Sequence, residues 1–216
     1  MSSSLLKTMG FLQILQLTPH GEKYMLARRV AITAMNAPTL TISRSQVKVD
    51  FDNAVNDAMR MLAADERTLF VGQSVAYDGA TMYHSLDGVP VEKRLEMPVI
   101  EDFQLGFCLG LSLRGKLPIC IYPRFDFLLL AMNQLVNHLD RFCEMGDFRP
   151  KVIVRTRVGP TKPLNAGPQH TGNYTEALDL MLRNIDVVEL NHAEDVMQCY
   201  RDALASPYST LVVENG

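Results

Sequence analysis

Apolar residues after position 46 follow two alternating periods. From Asp52 to Ala64 they recur at the spacing of one helix face, with Asp52 in the N-cap position. The pattern then shortens to the apolar run Leu69-Phe70-Val71, which Gly72 closes. These patterns predict a helix followed by a buried strand. Further apolar runs predict strands at Leu117 to Tyr122, Val152 to Val154, Val187 to Leu190 and Leu211 to Val213.

Helical patterns separate these strands. They predict helices from about Leu128 to Cys143, near Thr175 to Leu182, and from a cap at Asn191 to about Ala205. Strands that are apolar on both faces, with helices between them, are typical of a parallel sheet covered on both sides. The predicted fold class is therefore α/β, with residues 46–216 as one domain.

A long loop interrupts the alternation. Glycines and prolines are frequent from Gly159 to Gly172 and exclude regular structure there. A loop of this length in a compact domain is usually functional or disordered, and we favour function.

Composition excludes several classes of function. The 216 residues are 47% apolar, which is enough for one good core, and the net charge of -3 gives no basic surface for nucleic acid. No apolar run approaches the roughly 20 residues that span a bilayer, so we expect no membrane partner. The four cysteines form no C-x-x-C pair, which argues against a zinc site or a disulfide framework and favours a reducing compartment.

Residues 1–45 differ from the rest of the chain. Glu22 is their only acid, while Lys and Arg are scattered through them. We interpret this segment as an N-terminal extension that is disordered or serves in targeting. Its composition suits a mitochondrial transit peptide, and equally a stretch translated ahead of the domain. We expect a cytoplasmic protein, with the mitochondrial matrix as the alternative.

Candidate chemistry lies just after the predicted strands, because ligands of parallel α/β sheets bind outside the carboxyl ends of the strands. Pro98 ends an extended segment, and Glu101 follows it at the start of a helical pattern. This acid is a candidate site residue. The alternative is an ordinary first-turn acid that complements the helix dipole.

Two further places qualify. The segment Y-P-R-F-D-F follows a strand and offers Phe125 and Phe127, although both rings suit the core equally well. Arg124 suits a carboxylate or phosphate, or an ion pair with Asp126. His170 is the only histidine of the long loop, where catalytic groups concentrate, and the alternative is a solvated side chain.

The order of these motifs resembles a known family. The strings T-L-F-V-G-Q-S-V-A-Y-D-G-A, M-P-V-I-E-D-F-Q-L-G, L-P-I-C-I-Y-P-R-F-D-F, G-P-Q-H-T-G and S-T-L-V-V-E-N occur in this order. Together they resemble the beta subunit of the thiamine-diphosphate-dependent first component of 2-oxo acid dehydrogenases, from about Val47 to Asn215. The resemblance implies a transketolase-like pyrimidine-binding domain.

The resemblance also implies roles for single residues. The residue matching Glu101 hydrogen-bonds the aminopyrimidine of thiamine diphosphate and helps to activate its thiazolium carbon. The residue matching Phe127 packs on the pyrimidine, with Phe125 beside it, and the residue matching His170 lies near the substrate. The cofactor then adds to a 2-oxo acid and holds the electrons that are released as carbon dioxide leaves. Glu101 and His170 are thus the predicted catalytic residues.

Several positions depart from the family pattern. Gln73 and Ser74 stand where the family commonly carries two acids, Asp102 replaces an apolar residue, and Arg124 replaces a small or neutral one. These changes suggest a divergent substrate. The G-D-G motif that holds magnesium and the diphosphate is absent, so we expect a diphosphate-binding alpha-type partner subunit to supply both. The chain also stops where the resembled subunit continues into a further domain that helps its dimer assemble.

Three functions remain open at this point. The first is a subunit of a heteromeric, oligomeric enzyme that decarboxylates a 2-oxo acid and is inactive alone. The second is a transketolase-like ketol transfer, which needs more basic residues than Arg124 and Arg155 offer for a sugar phosphate. The third is a degenerate, non-catalytic domain with a binding or regulatory role.

Overall fold

A computed structural model describes residues 44–78, 81–161 and 165–216, with side chains from Asp50 onward except that of Thr81. Nearly all of the predicted N-terminal extension lies outside these residues, so its role and the domain division after residue 45 stay predictions. The α-helices are α1 Arg44–Ala63, α2 Thr81–His84, α3 Glu101–Leu113, α4 Phe125–Leu128, α5 Phe142–Met145, α6 Thr175–Met181 and α7 Ala193–Ala205. The strands are β1 Thr68–Gly72, β2 Arg94–Glu96, β3 Leu117–Tyr122, β4 Ile153–Arg157, β5 Ile185–Leu190 and β6 Ser209–Glu214.

The six strands form one parallel sheet in the order β2-β1-β3-β4-β6-β5. Side chains alternate between its two faces: Phe70 and Ile119 join the core under α1 and α7, while Val71 and Cys120 join the core under α3. Both faces are thus buried, as the uniformly apolar strands predicted. The α/β class with helices on both sides of a parallel sheet is confirmed.

Two predicted helix starts are wrong. Asp52 lies inside α1, and its carboxylate pairs with the Arg157 guanidinium at 2.7 Å, so a long-range ion pair replaces the predicted cap. Asn191 precedes α7 by two residues, and its side-chain oxygen accepts a hydrogen bond from the Asn215 amide at 3.0 Å. In both cases a distant partner competes with the local capping role.

The predicted long helix from Leu128 to Cys143 is helical but not a continuous α-helix. After α4 the chain forms a 3₁₀ turn at Leu129–Ala131, then a π-helix at Asn133–Leu139, and ends in α5. Apolar periodicity did not reveal this change of pitch, because the apolar positions still face the same core. π-helical turns are rare and occur often at functional sites.

Chain order around β1 makes a topological switch point in the sheet. β2 lies on one side of β1, and β3 lies on the other side, so consecutive connections leave in opposite directions. Such a topological switch point opens a ligand crevice at the carboxyl ends of the strands. No helix of the described residues is long and apolar enough to cross a membrane.

Candidate active site at the carboxyl edge of the sheet

The four neighbouring strands β2, β1, β3 and β4 deliver the candidate residues to the same edge. Gln73 follows β1, Glu101 follows β2, Phe127 follows β3, and His170 lies in the loop after β4. Candidate residues that are far apart in the sequence therefore lie at the same edge of the sheet, because the carboxyl ends of parallel strands share one edge.

Glu101 is the first residue of α3 and is 7% exposed. Its backbone carbonyl accepts a hydrogen bond from the Tyr122 hydroxyl at 2.9 Å. Its carboxylate makes no hydrogen bond and no ion pair among the described residues. A buried carboxylate is costly unless it is hydrogen-bonded, so this group is available to a donor on a ligand.

Asp102, the next residue, shares the first turn of α3 but has a different environment. Its carboxylate accepts a hydrogen bond from the Gln134 side chain at 3.2 Å, which ties α3 to the π-helix. Both acids complement the helix dipole, so that role alone does not account for the unpaired state of Glu101.

The helix that carries Glu101 is fixed to β3. The Gln104 amide donates to the Ile121 carbonyl at 2.9 Å and to the Cys120 sulfur at 3.4 Å. Burial raises the pKa of Tyr122 far above its ordinary value, so the phenol stays neutral and keeps donating to Glu101. Glu101 therefore sits on a rigid support.

The turn after β1 is held by an acid that the sequence did not single out. The Glu96 carboxylate accepts backbone N–H bonds from Ser74, Val75 and Ala76 at 2.6, 2.9 and 2.8 Å. Ser74 adopts a positive φ of 60° in this turn. Gln73 is buried beside it, and its side-chain nitrogen has no hydrogen-bond partner among the described residues. The only sequence signal near Glu96 was the extended segment that Pro98 ends, because the strand Arg94–Glu96 itself was not predicted.

The two candidate phenylalanines have different environments. Phe125 is fully buried, and its ring packs edge-to-face on Tyr174 with centroids 5.4 Å apart. Phe127 is half-buried, and its ring packs in the same manner on His170 at 5.5 Å. Phe125 thus occupies the core position that the alternative interpretation described, while Phe127 keeps an accessible surface.

Arg124 is half-buried, and its guanidinium donates to the Pro123 carbonyl at 2.8 Å. Burial lowers the pKa of Arg124, as does the nearby charge of Arg157, and Asp126 partly offsets both. The alternative ion pair with Asp126 is absent among the described residues. Asp126 binds the Gly172 N–H and the Tyr174 hydroxyl instead.

The structure brings Phe127 and His170 into direct contact, and it joins Glu101 to Tyr122. No hydrogen bond or ring contact links Glu101 to Phe127 or to His170 in the described part of the chain. Sequence reasoning missed Asp126 and Tyr174 as contributors, since their pairing spans 48 residues. No group of three or more metal-ligating side chains occurs among the described residues.

Sequence comparison finds relatives of one kind, although no family model matches the chain. The chain is 26% identical over 192 residues to the beta subunit of 3-methyl-2-oxobutanoate dehydrogenase from Mycobacterium tuberculosis, covering 87% of this chain and 53% of that protein. It is 30% identical over 135 residues to the mitochondrial pyruvate dehydrogenase E1 beta subunit of Homo sapiens, covering 60% and 35%. The chain spans about half the length of the curated relatives that it matches over most of its own length.

Structural comparison agrees with these relatives on the fold. A structure described as a split gene transketolase, inactive beta4 tetramer, superposes with a TM-score of 0.60 at 17% identity, covering 76% of this chain and 50% of that one. A transketolase from Campylobacter jejuni gives a TM-score of 0.58 at 13% identity, covering 76% and 25%. The chain therefore has the α/β fold of these transketolase structures, and its sequence resembles the beta subunits of 2-oxo acid dehydrogenase first components.

Proposed function

We propose that the chain is the pyrimidine-binding subunit of a heteromeric thiamine-diphosphate enzyme that decarboxylates a 2-oxo acid. The observation that carries this proposal is Glu101, a residue that is 7% exposed near a topological switch point and whose carboxylate has no hydrogen-bond partner in the described chain. The named activities of the relatives support the same reaction class.

The described residues fit the aminopyrimidine half of the cofactor. The Glu101 carboxyl group would share a proton with a ring nitrogen of the aminopyrimidine, and the unpartnered Gln73 amide nitrogen provides a buried donor at the same edge of the sheet. The Phe127 ring provides an apolar surface against which a planar ring packs. Phe125 is fully buried in the core, so we assign it no direct contact with the cofactor.

Thiamine diphosphate supplies the electron sink for decarboxylation, and the residues of this chain supply position and proton control. Glu101 holds the proton that it shares with the pyrimidine, and its fixed position on α3 keeps that hydrogen bond aligned. His170 transfers a proton to or from the substrate side, and Arg124 binds the carboxylate of the 2-oxo acid. Because the described residues include no magnesium ligand cluster, we assign the diphosphate and the metal to an alpha-type partner.

Activity therefore requires a partner chain. The split-gene transketolase structure, described as an inactive assembly of beta chains, supports this assignment. We also propose that the working protein is a homo- or hetero-oligomer. We propose the cytoplasm or, alternatively, the mitochondrial matrix as its compartment, since the relatives include a bacterial protein and mitochondrial ones. Sequencing the N-terminus of the protein isolated from cells distinguishes the two, since a mature chain that begins before Met25 rules out transit cleavage.

Glu101→Gln tests the proposal in the assembled enzyme. The chain is mixed with an alpha-type partner, thiamine diphosphate, magnesium and pyruvate or a branched-chain 2-oxo acid, and carbon dioxide release is measured. We expect Glu101→Gln to lower turnover by about 100- to 10,000-fold, the range of a lost general acid–base group. Asp102→Asn is the matched control: it removes the adjacent acid, whose partner is Gln134, and retains turnover.

Two results would contradict the proposal. One is wild-type assembly without turnover of any 2-oxo acid, and the other is equal activity of wild type and Glu101→Gln. Calorimetry separates the causes: cofactor binding without turnover points to another reaction. No cofactor binding by any complex that contains this chain points to a non-catalytic role.

Transketolase-like ketol transfer is the second candidate, because both superposed structures are described as transketolases. A sugar phosphate needs cationic side chains at the crevice. Arg155 is fully buried and pairs with Glu214 at 2.7 Å, so it is not available for a phosphate. Of the two arginines considered, this leaves Arg124. We therefore rank this reaction second, and an assay of a ketose phosphate against pyruvate distinguishes the two.

A further inference from the structure

The His170 imidazole is held by its surroundings and not by a hydrogen bond of its own. Among the described residues its ring makes no hydrogen bond, and its contact is the edge-to-face packing on Phe127 at 5.5 Å. Its backbone N–H donates to the Gly167 carbonyl at 3.0 Å, which closes a turn within the loop. The position of the ring thus depends on what anchors the loop on each side.

The loop is anchored before His170 by a close approach of two backbone segments. Gly159, just after β4, lies against the His170 carbonyl so closely that a β-carbon at residue 159 has no room. Glycine is required at this position for steric reasons.

The anchor after His170 is the side chain of Asp126. One carboxylate oxygen accepts the Gly172 N–H at 3.2 Å, and the other accepts the Tyr174 hydroxyl at 3.0 Å. A β-carbon on Gly172 would lie 2.6 Å from the Asp126 carboxylate, so the backbone approaches as closely as glycine allows. Both oxygens of Asp126 are therefore committed to the segment that follows His170.

Asp126 lies in sequence between the two rings that contact the same loop. Phe125 packs on Tyr174, and Phe127 packs on His170. Residues 125–127, after β3, therefore hold residues 170–174, after β4, through the polar contacts of Asp126 and the aromatic contacts of Phe125 and Phe127. The carboxylate thus holds the Gly172 backbone and the Tyr174 side chain, two and four residues beyond His170, and this limits where the His170 ring can lie.

We propose that Asp126 is a positioning residue, whose carboxylate holds loop residues 170–174 so that the His170 imidazole stays against Phe127. This role rests on the proposed function, in which Phe127 contacts the pyrimidine and His170 serves the substrate. In this proposal Asp126 itself contacts neither the pyrimidine nor the substrate. Misplacement of a reacting group by about 1 Å costs on the order of 100-fold in rate, so a distant anchor has a large effect.

A test that does not depend on activity uses nuclear magnetic resonance of the full chain. With labelled histidine and phenylalanine, we expect an NOE between the ring protons of His170 and Phe127 in the wild type. Asp126→Ala abolishes this NOE, while amide shifts in β1 and β6 stay unchanged. Tyr174→Phe removes one of the two bonds, retains the ring contact with Phe125 and weakens the NOE. Glu176→Gln, which removes an exposed charge on α6, leaves it intact.

A kinetic cycle in the assembled enzyme tests whether Asp126 acts through His170. We expect Asp126→Ala to lower kcat by about ten- to a hundred-fold with little change in KM, and to cause no further loss in a His170→Ala background. Asp126→Asn retains one acceptor oxygen and restores part of kcat. An equal loss in both backgrounds overturns the positioning role, as does an unchanged NOE in Asp126→Ala. If the wild-type assembly has no turnover, the proposed function fails and the NOE alone decides on Asp126.

Discussion

Arg155 and Glu214 form a buried ion pair, and its burial and hydrogen bonds indicate how much it contributes to the free energy of unfolding. Both side chains are fully buried, and they meet through two parallel bonds of 2.7 and 3.0 Å. The Tyr200 hydroxyl donates to the same carboxylate at 2.8 Å, and the remaining Arg155 nitrogen donates to the Ser85 hydroxyl at 2.8 Å. The pair joins β4 to β6 at the carboxyl edge.

Glu214→Gln leaves the Arg155 charge buried without a counter-ion. Breaking a buried pair on one side costs about 3–5 kcal/mol, because the remaining charge is desolvated and uncompensated. For a domain of this size each kcal/mol lowers Tm by about 2–4 °C, so the expected loss is about 6–20 °C. Removing only the Tyr200 hydroxyl, by Tyr200→Phe, costs about 1.5–3 kcal/mol, the range for a bond to a charged group.

The exposed pair Arg60–Asp57 is the matched control. It is also a contact between an arginine and a carboxylate, at 3.0 Å, but its side chains are 51% and 61% exposed. Asp57→Asn is expected to cost at most about 1 kcal/mol, because water screens the pair. The two pairs therefore differ in burial and in the number of bonds, since the exposed pair makes a single hydrogen bond.

Urea unfolding at pH 7 measures both losses. An unchanged m-value shows that the variants unfold from a similarly compact state. The double variant Arg155→Met/Glu214→Leu removes both charges and is expected to lose less than Glu214→Gln, with about 1–3 kcal/mol due to the unpaired Tyr200 hydroxyl. A loss for Glu214→Gln as small as that of Asp57→Asn would contradict this prediction, since it would mean that water reaches Arg155.

Two further predictions concern local stability. A β-carbon on Gly72 would lie 2.5 Å from the Ile121 carbonyl, so Gly72→Ala is expected to cost about 1–3 kcal/mol in urea unfolding. Gly110→Ala meets nothing within 4 Å on an exposed helix position and is expected to gain about 0.5–1 kcal/mol; equal effects would contradict the packing argument. Hydrogen bonds from Arg67 lower the pKa of Asp65 to about 2. The contribution of ionised Asp65 to the free energy of unfolding is therefore complete above about pH 4 and is lost as the pH falls toward 2. The difference in the free energy of unfolding between wild type and Asp65→Asn should accordingly decrease across that range. A difference that is independent of pH would exclude this assignment.

Local sequence patterns were enough to predict five of the six strands and the edge of the sheet at which the candidate site residues lie. The strand Leu117–Tyr122 has its predicted bounds, and Glu101 begins a helix after the Pro98 turn, as predicted. These features are local: a short apolar run, a proline and a helical spacing each act on neighbouring residues. Residues that directly follow a strand were then expected at the carboxyl edge, because all strands of a parallel sheet point the same way.

Tertiary structure alone decided which side chains find partners. Glu101 and Asp102 are adjacent acids in one helical turn, yet one is buried and unpaired while the other binds Gln134. Arg155 was counted as a candidate cation for substrate, and its partner Glu214 lies 59 residues away. Pairings across such separations depend on strand order and on the twist of the sheet, which no local pattern of apolar and polar residues encodes. The sequence thus named the candidates, and the fold determined which of them is free to meet a ligand.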